Sequence, residues 1–455
     1  MKGNAMHTDF LKSQMNSNPD HIVMIWNDQP ISNKILNENI NLCKKFLTQN
    51  KIFQGSVISL EGDFSPTSIS MLLALIDQAC IIVPLSYLDQ KNLEQKYEIA
   101  EIEFSLKIEP DDSFIALDRS YRSTHSLYQQ IRGLGHPGLV LFSSGTSGQP
   151  KAAVHDFLPL LEKFKISRNP YLSINFLLFD HWGGLNTLFS TLSSRGTIIC
   201  LHKRTPEEVC RLIEKYSATL LPTTPTFINM LLLSNLAKKY DLSSLRRITY
   251  GAEPMPLTTL YKLSTYFPKA QIQQTYGLIE VGVLSSKSLN RDSLWVKVGG
   301  RGYETRIIDG LLEIKSTSMI LGYLNAESPF TEDGWFRTGD AVETKDEYIR
   351  VLGRKSELIN VGGEKVYPTE IESVILQCPN VLDVQVYAEK NILIGNIICA
   401  KVLLQRPEDH ELFSQKLKSF CQEKLEKFKV PVKIFITENL EHSARFKKKR
   451  VSLDN

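Results

Sequence analysis

The sequence predicts an α/β fold, a parallel sheet covered by helices, in a chain of two or more domains. Three observations carry this expectation. Strand-like apolar runs alternate with helix-like amphipathic runs, and a β-α-β rhythm of this kind sets neighbouring strands parallel with helices packed on the sheet. The length of 455 residues exceeds what one hydrophobic core normally supports. Finally, an apolar run at 139–142 gives way at once to glycines and hydroxyls, as a strand does when it enters a special turn.

In chain order, Ile35, Leu36, Ile40, Leu42, Phe46 and Leu47 fall roughly on one helical face. Residues 56–60 read as a strand, Pro66 opens an apolar helix over 67–79, and 80–83 is a strand that Pro84 should stop. Glu-rich helix candidates lie near 90–103. A strand from 176 should end in Asp180 and His181 before paired glycines, at the carboxyl edge where open α/β sheets bind ligands. Strands at 197–201 and 218–221 flank a helix at 205–216, and an apolar helix covers 227–233. Further on, strand-like alternation recurs over 381–401, and 411–428 is amphipathic with Leu412, Leu417, Phe420, Cys421 and Leu425 inward.

Composition narrows the classes. Hydrophobic content of 42% and charged content of 23% are those of an ordinary globular protein. A net charge of +3 over this length argues against nucleic acid as a partner. Seven scattered cysteines without a C-x-x-C pair fit a reduced, cytoplasmic protein. Residues 1–18 lack the apolar centre of a signal peptide, and no apolar run is long enough to span a membrane.

The polar run reads Ser143-Ser144-Gly145-Thr146-Ser147-Gly148-Gln149-Pro150-Lys151. Glycine lets the backbone turn tightly, so that N–H groups converge on an anion. Hydroxyls and a lysine complete the donor set a polyphosphate needs. The spacing is not that of a Walker loop, and composition alone fits a Ser/Gly surface turn equally well.

This run resembles the phosphate-binding loop of the adenylate-forming superfamily, which includes acyl-CoA synthetases, luciferases and adenylation domains of peptide synthetases. The resemblance implies a large N-terminal adenylate-forming domain of layered α/β subdomains, 1–352, and a small mobile α+β domain, 353–455. Further motifs follow in the family's order. His181 matches a histidine beside the acyl group and the adenylate, with Trp182 and Gly183 next to it in the pocket. Amino-acid-activating members hold the substrate amine with an aspartate in this region, but the register puts Asp180 immediately before the histidine, which disfavours that role. Phe227 and Met230 lie on a helix that lines the acyl pocket in the family, although the same side chains serve equally as core.

Gly251-Ala252-Glu253-Pro254 resembles the turn that packs on adenine and borders the acid pocket. Tyr276-Gly277-Leu278-Ile279-Glu280 resembles Tyr-Gly-x-Thr-Glu, which implies Tyr276 stacked on the base, Gly277 at the pocket, and Glu280 on Mg²⁺. Ile279 replaces a threonine that contacts the α-phosphate, a loss of about 1.5–3 kcal/mol. The heptad from Gly334 to Asp340 matches the ribose motif, with Asp340 accepting from both hydroxyls.

Arg354 matches a linker arginine that holds ribose or phosphate, Ser356 occupies the hinge position, and the loop 362–365 matches one that faces the site in the thioester-forming pose. In the basic tail the family's catalytic lysine aligns with Lys447. Phe446 and Glu441 replace the usual glycine and proline, so Lys448 and Lys449 remain alternatives.

The resemblance thus implies an AMP-forming acid–thiol ligase with Thr146, His181, Glu280 and Lys447 as catalytic residues. Its cofactors would be ATP, Mg²⁺ and CoA, or a phosphopantetheinyl carrier protein in place of CoA. The short chain and the run 150–155 look similar to succinylbenzoate–CoA ligases. The alternative of another class is a nucleotide-binding protein that has lost turnover, motivated by Ile279 and Phe446.

Overall fold

The computed structural model describes residues 7–87, 92–144, 149–166, 168–392, 395–440, 443 and 448. A large N-terminal α/β domain with mixed sheets is followed by a smaller α+β domain. One seven-stranded sheet has Val57–Glu61, Ile81–Leu85 and Phe104–Ile108 in parallel at its centre, with Gly138–Ser144 parallel to Ile81–Leu85. Its edges are antiparallel, with Pro150–Asp156 and Gly322–Tyr323 on one side and Phe114–Asp118 on the other.

The helix Pro66–Asp77 is buried along nearly its whole length. It starts where it does because Ser65 and Ser68 form a reciprocal capping box and proline takes the first turn. The helix Asn33–Gln49 buries Leu36, Ile40, Cys43 and Leu47, spaced for one narrow stripe. Ile35 and Leu42, expected on the same face, are 41% and 61% exposed. Pro84 does not stop its strand: it pairs with Leu60 inside Ile81–Leu85. The partner strand on the other side pairs only with Ile81 and Ile82, so beyond them no ladder bond is demanded of the proline nitrogen.

The second seven-stranded sheet runs Gln271–Gln274, Arg247–Tyr250, Leu220–Thr223, Leu172–Ile174, Thr197–Ile199, Ile22–Trp26 and Gln29–Ser32. All pairs are parallel except the last. Here the expectation of a strand from 176 is corrected, because the strand is Leu172–Ile174 and 175–181 is irregular. The run is apolar because it is buried on all sides: Phe176 lies against Phe227 and Phe179 against Phe64. Its backbone is held by a side chain, Arg204 Nε donating to the Phe176 carbonyl at 2.6 Å. The same guanidinium forks onto both oxygens of Asp63 at 2.5 and 2.8 Å, joining the two large sheets through a buried ion pair.

A six-stranded antiparallel sheet pairs Phe336–Lys345 with Tyr348–Arg354 and sets Asp340 opposite Arg354. In the C-terminal domain, Val381–Asn391, Gly395–Leu404 and Lys433–Thr437 form a sheet that shares a core with the helices Pro368–Ile375 and His410–Gln422. The inward stripe of the second helix is Phe413, Leu417 and Cys421, whereas Leu412, expected inward, is exposed. All seven cysteines are buried and unpaired. Burial pushes the thiols of Cys43, Cys210 and Cys421 up to about 12. Among the described residues no helix is long and apolar enough to cross a membrane.

Candidate active site

Parallel strands deliver the loops that follow them to one edge of their sheet. Leu172–Ile174, Leu220–Thr223, Arg247–Tyr250 and Gln271–Gln274 are such neighbours, so 175–181, 224–226, 251–254 and 275–280 emerge side by side. Gly251 is needed by proximity: a Cβ there would meet Thr275 Oγ1 at 2.5 Å and its carbonyl at 2.7 Å. Ala252 holds a left-handed φ of 71°, strain of about 1–2 kcal/mol for a residue with a Cβ. Glu253 turns one carboxylate oxygen onto the N–H of Thr226 at 2.8 Å, in the first turn of the helix Pro225–Leu233, where the helix dipole favours an anion.

His181 is the N-cap of the helix Trp182–Ser193, its Nδ1 accepting from the Gly183 N–H at 3.0 Å. That bond fixes the tautomer and leaves the proton on Nε2. Gly184 is packed closely, since a Cβ there would sit 2.1 Å from the Leu178 carbonyl. Trp182 and Phe227 are fully buried in core clusters, Phe227 against Phe176 with ring centroids 4.2 Å apart; Met230 is half-buried. Gly277 pairs with Val283, and a Cβ on it would press within 2.7 Å of the Gly282 carbonyl. Ile279, where the family has threonine, belongs to the main core.

The polar centre is assembled from motifs far apart in sequence. Asp340 is buried, its Oδ2 accepting from the Tyr276 hydroxyl at 2.6 Å and its Oδ1 from Arg354 Nε at 2.8 Å. Burial, reinforced by the Asp340 charge, holds the Tyr276 phenol well above its usual range, so it stays a donor. Arg354 is drawn upward by Asp340 and Glu280 against the opposing effect of burial. Glu280 accepts from the Tyr323 hydroxyl at 2.8 Å, and the Lys151 ammonium lies 5.7 Å from the centre of the Tyr323 ring. Asn325 then ties down the strand after the polar run, donating to the Pro150 carbonyl at 2.9 Å and accepting from the Ala152 N–H at 3.0 Å.

Tyr323 and Asn325, two residues apart, were missed as site residues by sequence reasoning. Their partners are more than forty residues away, and nothing local signals the pairing. Ser143 and Ser144 end a strand and pair with Lys151 and Pro150, so the polar run closes an antiparallel hairpin. Gly145, Thr146, Ser147, Gly148 and Lys447 lie outside the described residues. Ser356 sits in a single 3₁₀ turn, Lys355–Glu357, directly after the strand bearing Arg354.

Among the described residues no cluster of three or more His, Cys, Asp or Glu could hold a metal. A Mg²⁺ at Glu280 fits this donor set only as an ion that takes one carboxylate and draws its other ligands from water and phosphate, which is how magnesium binds beside nucleotides.

The model of the AMP-binding enzyme family matches residues 11–315, and that of the AMP-binding enzyme C-terminal domain matches 370–447. The chain belongs to the AMP-binding enzymes. Membership brings the family's general chemistry, activation of an acid with ATP through an adenylate and formation of a thioester. The 2-succinylbenzoate–CoA ligase of Bacillus licheniformis is 28% identical over 343 residues, 69% of this chain and 69% of that protein. The 4-coumarate–CoA ligase 1 of Arabidopsis thaliana is 28% identical over 334 residues, but only 59% of its own length is matched. The o-succinylbenzoate CoA synthetase of Bacillus subtilis, solved with its acyl-adenylate intermediate, superposes with a TM-score of 0.77 at 21% identity and covers 96% of each chain. At that identity the likeness establishes the fold.

Proposed function

We propose that this AMP-binding enzyme is an acid–CoA ligase that converts a carboxylic acid to its adenylate and passes the acyl group to the CoA thiol. The observation that carries the reading is the convergence of Lys151, Glu280, Asp340 and Arg354 around Tyr276 and Tyr323. A cation after a hydroxyl-rich run of sequence, a lone carboxylate and a carboxylate–guanidinium pair are the groups that triphosphate, magnesium and ribose require.

In the first step a substrate carboxylate oxygen attacks the α-phosphorus of ATP, an O–P bond forms, and the bond to the β-phosphate oxygen breaks to release pyrophosphate. The carboxylate is already a nucleophile, so the protein's work is positioning and charge stabilisation. Asp340 accepts from the ribose hydroxyls while Arg354 orients it. Lys151 and the run 143–148 hold phosphate, and Lys447 neutralises charge at the reacting centre. Magnesium at Glu280 would supply further neutralisation of the phosphates. In the second step the CoA thiol gives up its proton to solvent, its sulfur attacks the acyl carbon to form the C–S bond, and AMP leaves with the electrons of the broken C–O bond.

In this reading His181, whose Nδ1 caps its own helix, acts beside the acyl group, with Trp182, Gly183, Gly251, Gly277, Phe227 and Met230 as residues of the acid pocket. The domain division proposed at 352/353 falls within the strand Tyr348–Arg354, whose last residues still pair with the large domain, just before the Ser356 turn on which the small domain would swing.

The test is pyrophosphate release from ATP and Mg²⁺ with 2-succinylbenzoate, 4-coumarate, medium-chain fatty acids and amino acids, with Lys447→Ala alongside. Release with one acid class, lost in the variant, and a thioester on adding CoA are the expected results. Release with no thioester until a phosphopantetheinyl carrier protein is supplied would replace CoA as acceptor. ATP binding without release for any acid would favour the non-catalytic alternative that Ile279 motivates.

A further inference from the structure

Lys448 joins the two domains through two different kinds of contact. Its backbone N–H crosses the domain interface to Glu253 Oε2 at 3.3 Å. Its side chain, 8% exposed, instead stays within the C-terminal domain, donating to Asp383 Oδ1 at 2.8 Å and to the Val384 carbonyl at 2.7 Å. Asp383 also accepts from the Val384 N–H at 2.8 Å, which fixes its carboxylate. Glu253 is fixed in turn by the Thr226 N–H. A line of partners therefore runs from the helix Pro225–Leu233 through Glu253, Lys448 and Asp383 into the sheet strand Val381–Asn391. The cleft around it is lined from both domains by Thr226, Asn229, Glu253, Glu372, Asp383 and Lys448.

A buried ion pair is a poor way to gain stability, since an apolar pair of similar volume does as well or better. Its attested use is to specify one arrangement. Here the buried ammonium contact is internal to the small domain, and a backbone hydrogen bond from the same residue spans the domains. A domain rotation breaks the second and can carry the first along intact. The loop residues Gly362, Gly363, Glu364 and Lys365, which the thioester pose would bring inward, are exposed in this arrangement.

We propose that Lys448 is a positioning residue, a clasp whose buried ammonium on Asp383 and N–H on Glu253 fix the tail at the Gly251–Pro254 turn for adenylation and release it when the small domain turns. Lys448 directly follows Lys447, the residue read as catalytic, in the chain. The clasp rests on the adenylation reading, and its test separates the two. Cysteines replacing Tyr266 and Leu412, both exposed and on different domains, carry spin labels, while the native thiols are buried. With ATP and Mg²⁺ and no acid present, the parent should give one narrow inter-label distance. Lys448→Met and Asp383→Ala should lose at least half of that population, and Lys448→Arg should keep it.

Where an acid is turned over, the first two variants should lower kcat for pyrophosphate release at least tenfold with KM for ATP within twofold. Thioester formation from supplied acyl-adenylate and CoA should stay within twofold. An unchanged distance distribution in Lys448→Met, unchanged pyrophosphate release, or equal loss in both half-reactions overturns the clasp. Absence of turnover with every acid counts against the enzymatic reading and leaves the distance measurement intact.

Discussion

Replacing Asp340 by asparagine isolates the charge of the carboxylate while keeping its shape. Asp340 is buried and already accepts from the Tyr276 hydroxyl at 2.6 Å and Arg354 Nε at 2.8 Å. An ionised carboxylate only accepts hydrogen bonds, so the ribose hydroxyls would donate to it. Each such bond is charge-assisted and contributes about 1.5–3 kcal/mol, against about 0.5–1.5 kcal/mol for a neutral one. Exchanging both gives a net loss of about 2–3 kcal/mol, which is about 30- to 150-fold in the Kd for ATP. Calorimetric titration of Asp340→Asn with ATP and Mg²⁺ reads this directly. The same titration with 2′-deoxy-ATP closes a cycle: the parent should discriminate against the deoxy nucleotide by about tenfold or more, and the variant by about five- to tenfold less than the parent. Asp340→Asn binding ATP within about threefold of the parent, or discriminating equally, would refute the ribose assignment.

Three further outcomes follow from the same geometry. Arg204→Met removes a bidentate buried ion pair, strips Asp63 of its counter-charge while the Phe64 N–H stays on its Oδ1, and takes a donor from the Phe176 carbonyl; it should cost about 3–5 kcal/mol in urea unfolding, and a loss under about 1 kcal/mol would show that the pair does not brace the two sheets. Burial pushes the Lys163 ammonium from 10.5 down to about 7, with Arg168 adding to the shift. The unfolded chain then binds more protons between those values, so stability rises with pH across that window. Lys163→Met should raise the thermal midpoint most at pH 6 and least near pH 10, and a pH-independent effect would refute this. Tyr323→Phe deletes the donor to Glu280 and should raise the Mg²⁺ requirement of pyrophosphate release by about tenfold, as losses behind a metal ligand commonly do.

Where the sequence alone was informative, the information was local. Ser65 and Pro66 start a helix through bonds made within four residues, and the Gly334–Asp340 heptad runs from a turn into the strand Phe336–Lys345, which holds its aspartate. Motif order also anticipated that Tyr276, Glu280, Asp340 and Arg354 would belong to one centre, which their hydrogen bonds and charges now join. What could not be read depends on partners distant in the chain. The apolar run at 176–179 has the composition of a strand, and only Arg204, Phe227 and Phe64 decide that it is a packed irregular segment. Pro84 reads as a breaker until the length of the neighbouring strand is known. His181 carries no sign that its ring will cap its own helix rather than end a strand. The Lys448 contact with Asp383 spans 65 residues, in a tail whose charge run resembles any solvated surface.

The seven buried thiols have a consequence for chemistry rather than for packing. Thiol–disulfide exchange needs a thiolate that is both populated and accessible. Cys43, Cys210 and Cys421 are pushed up to about 12, Cys399 to about 11, and all seven are shielded. An enzyme that takes a free thiol as its second substrate meets that substrate's oxidised disulfide as well. This one offers no sulfur for it to capture. CoA disulfide should therefore leave the protein unmodified, and the only reactive thiol in the second half-reaction is the one carried in by the acceptor.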